Sequence, residues 1–219
     1  MSDMQTAEGP QRGPGALAQA GPFAILAAGA LWLLRIFYQL PERIPIHWNA
    51  RFVADGFVAR SRPAVLMPVF LGAVICLALL AMQAGIRRSA PSSPLRASTV
   101  KTLLAGEYFA ALLCCGVLAA SATNGALLKP VLALAALGVL ALLTYSWIAA
   151  RGVPREPVRN PSAWRGGIFY VDREDPVLFV PKRNGLGYTF NFGHPAALPL
   201  TVGLLLLPLA VLALVALLH

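Results

Sequence analysis

The chain has 219 residues, 58% of them hydrophobic and only 12% charged, with a net charge of +9 and a mean hydropathy of +0.67. A water-soluble domain carries about 25% charged residues, so this composition excludes a soluble enzyme, a disordered tail and a secreted disulfide scaffold. It describes an integral membrane protein, in which an excess of Lys and Arg belongs to the loops kept on the cytoplasmic side.

Residues 1–20 form a Gly/Pro/Ala/Gln-rich leader whose single basic residue is Arg12. Crossing a hydrocarbon layer of about 30 Å takes about 20 apolar residues in a helix. Five stretches approach or reach that length: 21–38, 64–86, 103–122, 127–150 and 196–218. No small-x-small cleavage site follows the first stretch, so it reads as an uncleaved anchor. The link 123–126, Thr-Asn-Gly-Ala, is short enough to make the third and fourth stretches an antiparallel pair. Residues 87–102 form a basic loop, and 151–163 a basic, Pro-rich linker. On alternate loops, one side of the membrane collects twelve Lys and Arg and the other four. That imbalance predicts a cytoplasmic N-terminus and, after five spans, an extracytoplasmic C-terminus. The expected fold is an all-α membrane protein of about five transmembrane helices, with a small extracytoplasmic cap and a short cytoplasmic β-meander.

The cap is residues 39–63. Pro41 and Pro45 forbid a helix interior and hold their neighbours extended. In an extended run Ile44, Ile46 and Trp48 share one face, and Arg43, Pro45, His47 and Asn49 the other. The apolar face is expected against the bundle, with His47 and Asn49 outward and Asp55-Gly56 as a turn. In residues 164–193 three β-branched and aromatic runs alternate with polar turns, and Asn184-Gly185 is a hairpin signal. Together they predict a three-stranded meander tied to the bundle at both ends.

Two of these segments carry a resemblance. Leu40-Pro-x-x-Ile-Pro-Ile-His-Trp-Asn49, followed by Asp55-Gly56, resembles the signature domain of a bacterial integral-membrane family of unknown function. That domain also occurs in the SdpI-like immunity proteins, which protect sporulating bacilli from a secreted killing peptide. The run Trp164-x-x-Gly-x-Phe-Tyr-Val-Asp-x-x-Asp-Pro176 resembles a second domain often found with the first, together with Val180-Pro-Lys-Arg-x-Gly-x-Gly-Tyr-Thr-x-Asn-Phe192. Its positions include Trp164, Tyr170, Asp175, Lys182, Arg183 and Asn191. The resemblance implies a bacterial inner membrane and, by analogy, sensing of or protection against an envelope-active peptide. Family members are expected to have a Gly where this chain has Arg51-Phe52.

Among polar residues, His47, Trp48, Asn49 and Asp55 are the candidates for contact with a peptide or protein partner at the cap. Glu107, a carboxylate inside an apolar run, is a candidate for ion coupling and is expected near the cytoplasmic end, paired with Arg151. Arg35 is expected to snorkel to the outer headgroups. The inner basic loops suit anionic lipid. No nucleic-acid partner, cofactor or metal is expected, since neither a basic–aromatic array nor zinc spacing is present. The cysteines, Cys76, Cys114 and Cys115, lie in apolar runs and read as small buried hydrophobes. Three functions follow in rank: a non-enzymatic sensor or immunity-type protein, a small transporter or channel using Glu107, and a membrane enzyme at His47/Asp55. Oligomeric state is left open.

Overall fold

A computed structural model describes residues 14–89, 93–154 and 157–217. The elements run α1 (Ala16–Arg35), β1 (Arg43–Trp48), β2 (Ala54–Ala59), α2 (Arg62–Ser89), α3 (Leu95–Ala122) and α4 (Leu128–Arg151). They continue β3 (Trp164–Arg165), β4 (Phe169–Tyr170), β5 (Phe179–Pro181), β6 (Tyr188–Phe190) and α5 (Ala197–Leu217). Among the described residues, four helices, α1 to α4, are long and apolar enough to cross a membrane, and Ala197–Leu206 of α5 is apolar as well.

Two helix starts differ from the hydropathy reading by five residues or more. Helix α1 begins at Ala16 rather than 21 and takes Pro22 inside it. Helix α3 begins at Leu95 rather than 103, so Arg96 and Lys101 of the expected basic loop are helical. Hydropathy marks the part of a helix that lies in lipid; Ser, Thr, Arg and Lys extend the same helix beyond it at little cost.

Pro22 explains how α1 meets α3. Proline has no N–H, so the carbonyl four residues earlier, that of Ala18, loses its helical donor. The Tyr108 hydroxyl of α3 donates to Ala18 O at 3.0 Å instead. Gly21 makes this approach possible, because a Cβ there would stand 1.9 Å from the Tyr108 oxygen. Helix α3 is central and packs on α1, α2 and α4, while α5 runs against α2. Close helix approach through small residues is the usual mode of packing in lipid; Leu26, Cys76, Ala111 and Cys114 form one such core.

One end of the bundle carries the β1–β2 hairpin. Its Ile44 and Val58 join Leu33, Leu40, Val65 and Leu118 in a buried cluster. The other end carries β3 to β6. Here the expected meander is replaced by two hairpins, β3–β4 and β5–β6, linked by a single parallel bridge from Tyr170 to Asn191. The first aromatic run thus turns back on Trp164 and meets the third run, not the second. The reason is local: Asp172 and Asp175 bond to the amides of Glu174 and Val177, two residues on, so 172–177 curls instead of crossing as a strand connection. Gly85 of α2 seats this unit, since a Cβ there would lie 2.3 Å from the Phe179 ring.

Candidate functional site

The β1–β2 hairpin turns at Asn49–Val53, not at Asp55-Gly56. Asn49 Oδ1 accepts the amides of Arg51 at 2.9 Å and Val53 at 3.2 Å, which closes the turn before Asp55 is reached. Phe52 sits in this turn with φ +61, a left-handed conformation that favours glycine. Its ring receives Lys129 of α4, with Nζ 5.6 Å from the centroid. Gly56 has a different task from the one expected. It faces His47 across the strands, and a Cβ there would stand 2.8 Å from His47 Cβ.

That room lets His47 Nδ1 meet Asp55 Oδ1 at 2.5 Å. The pair is open to the surroundings, with side chains 70% and 44% exposed. Asp55 holds one ring nitrogen and leaves Nε2 to donate to or accept from a partner. The strict alternation expected along β1 fails between Pro45 and His47, where the register slips. Pro45 is buried and Ile46 is exposed, so Ile46 joins Phe52, Val53 and Phe57 as apolar surface on the hairpin.

Trp48 faces the bundle. A Cβ on Gly125, in the α3–α4 turn, would lie 2.7 Å from Trp48 Nε1. Arg60 secures the other strand by donating to the carbonyls of Leu40 at 2.5 Å and Tyr38 at 3.1 Å. Of the four cap residues singled out, His47 and Asp55 are presented together, Asn49 builds the turn, and Trp48 anchors the hairpin.

Inside the bundle, Glu107 is fully buried. Arg151 is not its partner. Glu107 Oε1 accepts from Gln83 Nε2 at 2.5 Å, and Gln83 Oε1 accepts from Gln19 at 2.8 Å and from Arg87 at 3.3 Å. Arg151 instead stacks on Trp147, 3.3 Å from the ring centroid. Glu107 lies about 18 Å along α3 from its first residue, Leu95, at ~1.5 Å per residue. Glu107 Oε2 has no hydrogen-bond partner among the described residues. The signal for this chain was Gln83, an amide inside an otherwise apolar stretch. Arg35 is exposed in the last turn of α1, where a cation suits the helix dipole.

At the opposite end the motif residues bond to one another. Arg159 donates to Asp175 through Nε at 2.5 Å and Nη2 at 2.9 Å, and the buried Tyr170 hydroxyl donates to Asp175 at 2.9 Å. Asn191, fully buried, donates to the carbonyls of Asp172 and Asp175 and accepts the amides of Asp172 and Gly193. Trp164 donates to Arg159 O at 3.1 Å and packs edge-on to Tyr170. Burial opposes charge on Asp175, yet the Arg159, Val177 and Tyr170 hydrogen bonds outweigh it and hold the carboxyl below its ordinary range. Asp172 is lowered mainly by Asn160, and burial followed by Asp175 pushes the Tyr170 hydroxyl up. Arg159 and Asn160 lie outside the motif because their partners, Asp175 and Asp172, are 16 and 12 residues away. Lys182 and Arg183 are exposed in the β5–β6 turn. Among the described residues, no group of three or more His, Cys, Asp or Glu is arranged to hold a metal ion.

Two family comparisons bear on these regions. Residues 24–72, which include the hairpin, match the domain of unknown function DUF1648. Residues 173–198 match the family of unknown function DUF5808. No curated protein and no solved structure matches the chain.

Proposed function

We propose that this membrane protein is a non-enzymatic sensor or immunity-type protein of the bacterial inner membrane. In this reading α5 completes five spans, the N-terminus is cytoplasmic, and the hairpin receives an envelope-active peptide or envelope partner outside the cell. The Lys and Arg imbalance between loops supports the orientation. One observation carries the function: the hairpin is fixed to the bundle through Ile44, Val58, Trp48 and Arg60, while His47, Asp55, Ile46 and Phe57 remain exposed. A rigid base under a mixed apolar and hydrogen-bonding face suits recognition, because little ordering entropy remains to be lost on binding. The DUF1648 match over the hairpin and the resemblance to SdpI-like immunity proteins point the same way.

The test is expression in a sensitive host challenged with a panel of membrane-active peptides, with photo-crosslinking from position 46. Protection by the wild type that His47→Ala abolishes is the expected result. Absence of both protection and any crosslinked partner overturns the reading.

A second reading, proton or ion coupling through Glu107, draws on the chain Gln19–Gln83–Glu107 across three helices and on Glu107 Oε2, which has no hydrogen-bond partner among the described residues. Buried intramembrane carboxylates are functional candidates. Flux in proteoliposomes that is unchanged by Glu107→Gln ends it.

A further inference from the structure

At the end of the bundle away from the β1–β2 hairpin, a cavity of about 520 Å³ opens between the last turn of α4 and the β5–β6 turn. Arg151, Lys182 and Arg183 line it, and no carboxylate does among the described residues. A second cavity of about 310 Å³ shares Leu95, Trp147, Ala150 and Leu186 with the first and continues between α3 and α4 past Thr102 and Leu143. Its lining is almost wholly apolar, relieved by the hydroxyls of α3.

We propose that the two cavities form one site for a single anionic phospholipid, with its phosphate at Arg151, Lys182 and Arg183 and an acyl chain in the α3–α4 groove. Three cations converge there from parts of the chain about 30 residues apart, and none makes an ion pair among the described residues. Stacking on Trp147 holds the Arg151 guanidinium in one plane, which favours the forked hydrogen bonding that phosphate oxygens accept. The groove leaves the charged cavity along two membrane-spanning helices, the direction an acyl chain must take. A soluble phosphate would use the cations and leave the groove empty. Diffuse attraction to an anionic membrane surface would need neither cavity. The site rests on the membrane placement of α3 and α4 alone and is independent of what the β1–β2 hairpin binds.

The test uses the full chain in neutral detergent, with retention of phosphatidylglycerol and phosphatidylcholine read by native mass spectrometry. Preferential retention of phosphatidylglycerol is expected, falling about tenfold or more in the double variant Lys182→Gln/Arg183→Gln. Arg88→Gln, on an exposed cation outside the cavity, should leave it unchanged. Ala150→Trp, which fills the wall common to both cavities, should also release the lipid. Inorganic phosphate at millimolar concentration should not displace it. A phosphatidylglycerol with a photoreactive acyl chain should crosslink within 98–102 or 143–147, a readout in the wild type that no variant's folding affects. Equal retention of the two lipids, insensitivity to the double variant, full displacement by inorganic phosphate, or crosslinks confined to other segments would each overturn the proposal.

Discussion

The two ends of the bundle use polar side chains in opposite ways. At the β3–β6 end, Tyr170, Asp175 and Asn191 are buried and spend their hydrogen-bonding capacity on one another and on nearby backbone. At the β1–β2 end, the hairpin is held by aliphatic contacts, Trp48 and Arg60, and the His47–Asp55 pair is left open. A motif rich in Tyr, Asp and Asn can therefore be a device for folding thirty residues around a small core of Ala163, Trp164, Tyr170 and Val180. The shorter His-Trp-Asn motif divides its labour, with only His47 turned outward beside Asp55.

The contrast is open to direct attack. Asp175→Ala should have the largest effect, about 3 kcal/mol of local stability, because it leaves Arg159 and the Val177 amide without their acceptor and the Tyr170 hydroxyl with only the longer bond to Asp172. The half-exposed Arg159 keeps the loss at the low end of the range for a broken buried pair. Hydrogen exchange at the amides of Val177 and Gly193 measures it. Trp48→Ala should free the hairpin from the α3–α4 turn at a cost of about 2 kcal/mol, less than for a fully enclosed Trp. A thiol placed at Ala126 would then become labelled faster.

Acid should separate the two ends next. Asp172 and Asp175 have folded-state pKa values below the ordinary 3.8. Their contribution is present above 3.8 and is lost as pH falls through the lower folded values. Exchange protection around Asn191 should therefore collapse in that acid window while amides in the middle of α3 stay protected. Smallest of all is His47→Ala. Its pair with Asp55 is exposed, so the stability change should stay within about 0.5 kcal/mol, measured by thermal unfolding in detergent. A loss above 2 kcal/mol would show that His47 holds the fold, and the contrast between the ends would fail.

Hydropathy located the centres of α1 to α4 because lipid imposes one composition over about 20 residues. What it missed was decided by interactions between segments. The hairpin turn departs from the expected position because Asp55-Gly56 and Asn49 both carry turn chemistry, and the Asn49 side chain closes its turn first. The alternation along β1 was read as regular because nothing local announces the slip at Pro45. Hydropathy cannot name the partner of Glu107, which is Gln83 on α2, itself bonded to Gln19 on α1. For residues 164–193 the strand-forming runs are visible in the sequence, but their order depends on Asp172 and Asp175 curling the chain between them.

Pro22 has a consequence for assembly. Because it strips one donor from α1, the Ala18 carbonyl accepts from a hydroxyl at a single height on a single neighbour, Tyr108. Sliding α1 by one residue along α3 would break that bond and drive Tyr108 against a side chain in place of Gly21. The proline thus adds a polar latch to the vertical alignment of two helices that otherwise meet through small residues such as Gly29 against Cys115.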